Sequence, residues 1–262
     1  MVDIDKPLLG TAPSVLITRP RGQAENLAMR LSDRGFSPVL VPMIDILPIQ
    51  KLELDQRRIL LELDNYQHLI FVSSNAVRWG MQAIKSFWPQ LPAGLHWHAI
   101  GAATADALTS FTVQTETTGG AMNSEALLAV EQLQQVSGER ILIVRGVGGR
   151  TLIADQLQQR GAVVHCLEVY RRQVPDIAED LLRDTVAAGV DMIFISSGEG
   201  LANLVALLKN VNEFSRLIEV PVVVPGQRVA QSAREFGFKN ILMAENATDR
   251  AMVEALDLWH LQ

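Results

Sequence analysis

The segment Arg145-Gly146-Val147-Gly148-Gly149-Arg150 follows four apolar residues, 141–144, and precedes a helical pattern from Thr151. Three glycines leave the backbone of the turn bare, and two arginines flank it. A strand, a tight turn and a helix N-terminus in this order can hold an anion through backbone N–H groups and the helix dipole. The anion is not expected to be a nucleotide's phosphate. The stretch "GVGGRT" has Thr151 where the dinucleotide fingerprint needs its last glycine, and no segment ends in the Gly-Lys-Ser/Thr of a phosphate loop.

Similar turns recur along the chain. Thr18-Arg19 follows the strand-like "VLI"; Ser73-Ser74-Asn75-Ala76 follows "LIFV"; Gly101 and Thr104 follow "WHAI". Ser196-Ser197-Gly198 follows "MIFI", and Gly226-Gln227-Arg228 follows "VVVP". Each set has two readings. The serines can cap helices, the glycines can simply turn the chain, and Arg19 and Arg145 can belong to the architecture. Alternatively, the sets line a ligand site at strand ends and take up negative groups there.

Other reactive types offer less. His96 and His98 stand two apart in a strand and share a face, but no Cys or carboxylate pattern accompanies them, so no metal site is expected. Cys166 sits in an apolar strand beside His165 and reads as core. No hydrolase elbow and no Ser-His-Asp spacing is present. Tyr170, one of two tyrosines, precedes Arg171-Arg172 at the end of a strand-like run. Its bland reading is a half-buried residue at a hinge.

Short β-rich runs must position these turns. They read "SVLIT", "SPVLVP", "HLIFVS", "LHWHAI", "FTVQT", "RILIV", "AVVHCLEVY", "DMIFIS", "VPVVVP" and "NILMA", and helical patterns separate most of them. In "AENLAMRLSDRGF", Leu27, Leu31 and Met29 are read as one face, with Gly35 as the stop. Uninterrupted apolar strands imply burial on both faces, as in parallel sheets. The fold class is α/β with helices covering parallel sheets.

The chain also repeats itself at a near-constant offset of about 125 residues. Arg19 meets Arg145, Gly22 meets Gly148, and Arg34-Gly35 meets Arg160-Gly161. "LIFVSSNAV" faces "MIFISSGEG", "AIGAATADAL" faces "VPGQRVAQSA", and "NSEALL" faces "ATDRAM". An internal duplication of about five strands per half is expected, giving two similar lobes with a cleft between them. "FSPVLVPMIDILPIQ" and "AVVHCLEVYRRQVPD" occupy equivalent places and are candidate connectors; Pro42, Pro48 and Pro175 disfavour helix there. Periodicity leaves open whether the halves sit side by side or exchange their first βα units.

Composition sets bounds. A chain of 262 residues, 48% hydrophobic, can bury a large core. A single cysteine suits a reducing cytosol, and the mixed, acidic "MVDIDKPLLG" is unlike a signal peptide, so a cytoplasmic location is expected. A formal net charge of −6 speaks against broad nucleic-acid binding, and no apolar run is long enough to span a membrane.

Taken in order, "VLITRPRGQAENLAMRLSDRGF", "FVSSNAV", "AIGAATADAL", "ILIVRGVGGRTLIADQLQQRGA", "VYRRQVP", "FISSGEGLANL" and "NATDRAMVEAL" resemble uroporphyrinogen-III synthase from about Val15 to Leu256. Where that family often has Ser-Xaa-Arg, this chain has Gly226-Gln227-Arg228. The resemblance implies two flavodoxin-like lobes joined by a two-stranded connector. One is formed by residues 1–43 with 173–262, the other by residues 44–172 inserted between them. It further implies a cofactor-independent hydro-lyase that cyclises hydroxymethylbilane, inverting the last ring and losing water in haem biosynthesis. The anions at the turns would be the substrate's acetates and propionates. Thr18, Arg19, Ser73, Ser74, Asn75, Ala76, Gly101, Thr104, Arg145, Gly146, Gly148, Gly149, Arg150, Ser196, Ser197, Gly198, Gly226, Gln227 and Arg228 would bind substrate. Tyr170 would assist departure of the hydroxyl. The expected protein is a monomer able to receive substrate transiently from the preceding enzyme, with no nucleic-acid or membrane partner. The rival is a two-lobe binding protein that takes up an anion or a tetrapyrrole without catalysis.

Overall fold

The computed structural model describes residues 12–115, 123–149 and 151–259. Arg150 and the "MVDIDKPLLG" stretch lie outside them. The strands are β1 (Ser14–Ile17), β2 (Ser37–Leu40), β3 (Asp45–Pro48), β4 (His68–Phe71), β5 (His96–Ala99), β6 (Arg140–Gly146), β7 (Val163–Gln173), β8 (Met192–Phe194), β9 (Val222–Pro225) and β10 (Ile241–Ala244). The helices are α1 (Glu25–Ser32), α2 (Leu54–Leu61), α3 (Ser74–Phe87), α4 (Ala102–Thr109), α5 (Ser124–Leu128), α6 (Leu152–Gln159), α7 (Ala178–Ala188), α8 (Gly198–Asn210), α9 (Phe214–Leu217), α10 (Gly226–Phe236) and α11 (Asp249–Trp259).

The chain divides into two compact units. The first comprises Met1–Asp45 and Gln173–Gln262, the second Ile46–Arg172. In the first unit a sheet runs in the order β10-β9-β8-β1-β2, with every neighbouring pair parallel. Its strands are apolar on both faces because both faces are covered. Leu16, Ile193 and Val222 pack with Leu182, Leu204 and Val229 from α7, α8 and α10. Val15, Ile17, Phe194 and Val223 pack on the other side with Leu27, Leu31, Met252 and Leu256 from α1 and α11.

The second unit repeats the logic with the order β3-β7-β6-β4-β5, and β7-β6, β6-β4 and β4-β5 are parallel. Leu69, Phe71, Leu142 and Val144 face α2 and α3. Ile70, Ile141 and Ile143 face α5 and α6. The register of β6 against β7 slips once: Arg145 lies opposite Glu168, but Gly146 lies opposite Tyr170. The bulge inserts one extra residue into β7. Consecutive residues Val169 and Tyr170 therefore both join the core that contains Leu167.

Two expectations need correction. Met29 is 58% exposed. At 100° per residue it lies on the opposite side of α1 from Leu27 and Leu31, and only those two are buried. Phe111–Thr115 forms no strand. That segment leaves α4 through a turn with Thr112 at φ 63°, and no ladder takes it up. Among the described residues, no helix is long and apolar enough to cross a membrane.

Helix α3 lies close against the sheet at Gly80. A Cβ there would stand 2.5 Å from Val144 Cγ1 and 3.1 Å from Phe71 Cε1. Gly80→Ala is therefore expected to destabilise the protein by about 1–3 kcal/mol, despite alanine's better helix propensity. A urea midpoint equal to or above that of the parent would contradict this packing.

Candidate functional site

In the first unit the turns after β1, β8 and β9 are neighbours because their strands are neighbours. Thr18 is buried and its hydroxyl donates to the Phe194 carbonyl at 2.9 Å. The Arg19 guanidinium is also buried. Its Nε donates to Ser196 Oγ at 2.7 Å and its Nη2 to the Ala247 carbonyl at 2.7 Å. Its Nη1 reaches the Gln23 carbonyl and forms an ion pair with Asp249. One planar fork thus ties the first turn to the β8 turn and to the start of α11. Ser197 caps α8 by accepting from the Gly200 N–H at 3.0 Å. Gly198 opens that helix, and Gly226, Gln227 and Arg228 form the first turn of α10, with Gln227 and Arg228 exposed.

In the second unit the turns after β6, β4 and β5 are adjacent. Ser73 caps α3 by accepting from the Ala76 N–H at 3.1 Å. Ser74 is exposed and Asn75 half-buried in the first turn. Gly101 caps α4 without a side chain, at φ 92° and beside open space. An L side chain rarely adopts that conformation. The hydroxyl of Thr104 is spent on the Ile100 carbonyl at 2.6 Å, inside the protein. Gly148 has φ 70°, again with open space before it, and Gly149 is exposed. Arg145 is buried and folds back on its own turn, donating to the Gly149 carbonyl and approaching Cys166 Sγ at 4.0 Å and Glu168 at 4.0 Å.

Tyr170 is 2% exposed, not half-buried. The bulge turns its ring into the core, against Gly146, where a Cβ would come within 2.6 Å of two ring atoms. Its hydroxyl lies 3.2 Å from Ser73 Oγ and 3.5 Å from Arg172 Nη2.

Sequence spacing missed three sets of partners. Asp249 lies 230 residues from Arg19, and only its place at the head of an acidic-first helix hints at it. His96 and His98 have a third companion, His68, at the amino end of β4. His68 Nδ1 meets His98 Nε2 at 3.0 Å, its Nε2 meets Glu139 at 2.9 Å, and its ring stacks on His96. His68 and His96 open their strands, at the end opposite the turns, and His98 is the third residue of β5. Among the described residues, no cluster of His, Cys, Asp and Glu is arranged to hold a metal. Third, Tyr66 O–H and His165 Nδ1 are 2.9 Å apart. Burial raises the Tyr66 phenol and lowers the His165 imidazolium, so both are held toward their neutral forms. Burial also pushes the Cys166 thiol up, away from nucleophilic use.

Parallel sheets covered on both faces, with hydroxyls, glycines and helix N-termini at the carboxyl ends of the strands, define an α/β protein of the open-sheet class. The family model for uroporphyrinogen-III synthase HemD matches residues 25–254. Uroporphyrinogen-III synthase of Escherichia coli K12 is 36% identical over 93% of this chain and 99% of its own length. The Salmonella typhimurium protein of the same name is 33% identical over 93% and 99%. A crystal structure of a mutant uroporphyrinogen III synthase from the extremely thermophilic bacterium Thermus thermophilus agrees in fold, with a TM-score of 0.65 at 21% identity over 95% of this chain and 99% of that one. The chain belongs to the uroporphyrinogen-III synthase family.

Two outcomes follow from this geometry. Arg19→Met would strand the Asp249 carboxylate and leave Ser196 and the Ala247 carbonyl without their donor. A loss of about 3–5 kcal/mol in urea unfolding is expected, only partly restored by Arg19→Lys, because one ammonium cannot span all three partners. A methionine variant as stable as the parent would contradict this. For His165, the unfolded chain takes up a proton near the ordinary histidine value, whereas the folded protein does so only at lower pH. The unfolded state therefore binds more protons in that interval, and stability falls as pH drops through it. His165→Gln should give a shallower acid limb in Tm measured from about pH 8 to pH 5; an unchanged limb would refute the contribution.

Proposed function

We propose that this protein is a uroporphyrinogen-III synthase, a lyase of haem biosynthesis that cyclises hydroxymethylbilane with inversion of the last pyrrole ring and loss of water. The observation that carries this reading is full-length similarity: 36% identity spanning 93% of this chain and 99% of the Escherichia coli relative. The turn chemistry agrees with it. A linear tetrapyrrole with acetate and propionate groups offers many carboxylates. The first turns of α3, α8 and α10 are sources of N–H donors for them, on helices of 14, 13 and 11 residues. An acidic protein can bind an acidic substrate this way, because the donors are local.

In this reading the carboxylates are taken up by Ser73, Ser74, Asn75, Gly101, Gly146, Gly148, Gly149, Arg150, Ser196, Ser197, Gly198, Gly226, Gln227 and Arg228, while Thr18, Ala76 and Thr104, buried and hydrogen-bonded within the protein, keep the turns in place. Much of this contact comes from backbone. Arg19 and Arg145 contribute chiefly by holding the turns in shape. The reaction's difficulty is geometric, since unassisted closure favours the symmetric isomer. Holding the reacting ends in place can supply roughly 7–11 kcal/mol. Tyr170 supplies the proton that helps the hydroxyl leave. No cofactor is required. The protein works as a cytoplasmic monomer and can receive its substrate from the preceding enzyme.

The same reading takes the chain as an internal duplication: residues 1–43 with 173–262 form one flavodoxin-like lobe, residues 44–172 form the other, and two proline-bearing passages connect them. Support comes from matched details. Gly22 and Gly148 both have positive φ, 78° and 70°. Ser73 and Ser197 cap equivalent helices by the same bond. Arg19 and Arg145 are both buried and both close turns.

The test is chromatographic separation of product isomers after adding the protein to hydroxymethylbilane. Isomer III should dominate, with the rate unchanged after exhaustive chelation. An isomer ratio no different from the spontaneous one would favour the binding-protein alternative. Gly149→Val should raise KM about ten-fold, a loss of ~1.4 kcal/mol in binding. A Cβ there meets the Arg145 guanidinium at 2.9 Å and intrudes on the bare turn. An unaltered KM would remove this turn from substrate binding.

A further inference from the structure

The Tyr170 hydroxyl lies inside the second unit, yet proton delivery needs a group that substrate can touch. Arg172 Nη2 can only donate, so it occupies a lone pair of the phenol oxygen at 3.5 Å. The Tyr170 and Ser73 hydroxyls lie 3.2 Å apart, and either can donate to the other. Ser73 Oγ already accepts from the Ala76 N–H at 3.1 Å. When the phenol donates, both acceptor sites of Ser73 Oγ are filled and its own hydrogen points away from the phenol and the helix. Ser73 is partly exposed at a strand carboxyl end, whereas Tyr170 is 2% exposed.

Resting on the proposed synthase activity, we propose that Ser73 is the residue that hands the proton to the departing hydroxyl, with Tyr170 as the source behind it and Gly146 as a positioning residue. Ser73 Oγ–H gives its proton to the terminal hydroxyl of the substrate and receives the Tyr170 proton in exchange. The C–O bond breaks, its electron pair leaves on oxygen, and water departs. The cation stays on the substrate, spread onto a pyrrole nitrogen, and the negative charge left on the phenol oxygen faces Arg172. Ring closure later expels one proton from the attacked pyrrole carbon. That proton returns through Ser73 to Tyr170, so the relay ends as it began. Gly146 enters because its φ is not positive and alanine suits the backbone there. The obstacle to alanine is the Tyr170 ring, 2.6 Å from the would-be Cβ.

Steady-state kinetics and isomer analysis on the full chain test this. Ser73→Gly removes the hydroxyl while costing the α3 cap only a few tenths of a kcal/mol. Ser73→Gly and Tyr170→Phe should each lower kcat about ten-fold, at the modest end for proton assistance, with isomer III still dominant. The double variant should also be down about ten-fold, not a hundred-fold, because the two groups act in one chain. Ser73→Thr, which keeps both cap and hydroxyl, should restore kcat. Gly146→Ala should resemble Tyr170→Phe and add nothing to it. Wild-type kcat in Ser73→Gly, or multiplying effects of Ser73 and Tyr170, would overturn the relay while leaving the synthase reading intact. Failure of the parent protein to form isomer III would overturn both.

Discussion

Burial of both faces of the parallel strands governs the rest of this protein. Leu16 and Ile17 point to opposite sides of one sheet and are both fully buried, as are Leu69 and Ile70 in the other. Strands so enclosed can carry no chemistry along their length. Polar function is confined to the two ends of each strand, and only the carboxyl end also receives the N-terminus of the next helix. The hydroxyls of Ser73 and Ser197 each anchor a helix start at such an end, where the proposed function would have substrate arrive.

The buried arginines show how such an end is kept in order. A turn between strand and helix has few ladder bonds of its own. Arg19 supplies side-chain bonds to two other segments, at Ser196 and at Ala247 with Asp249, and Arg145 closes its own loop onto Gly149. A buried guanidinium is stable only with its donors satisfied. Their geometry suits a role in shaping the backbone that greets the ligand.

Much of this can be read from residues in order. The strand–turn–helix units, the two serine caps and the paired arginines follow from hydrophobic runs and turn residues that are local in sequence. Contacts that close over long distances are not legible. Nothing near Arg19 announces Asp249, and nothing near His68 announces Glu139, because their meeting depends on strand order. Met29 departs from expectation because two residues along a helix lie nearly opposite. The segment from Phe111 to Thr115 has the composition of a strand but no partner edge to join. Tyr170 departs for a subtler reason: alternation along β7 would put it on the face of Cys166 and Glu168.

That last point turns on a single surplus residue. Up to Glu168, β7 keeps step with β6, and the odd-numbered side chains face one helix layer while the even-numbered face the other. The bulge between Arg145 and Gly146 breaks the count, and position 170 changes sides. The phenol thus owes its orientation to an arithmetic parity as well as to its identity. A shorter β7, with the irregularity ironed out, would preserve the sheet, the cores and every residue type on either side of it. It would nonetheless deliver the aromatic ring to the wrong layer. Insertions and deletions in this strand are therefore mutations of the site even where they touch none of its side chains.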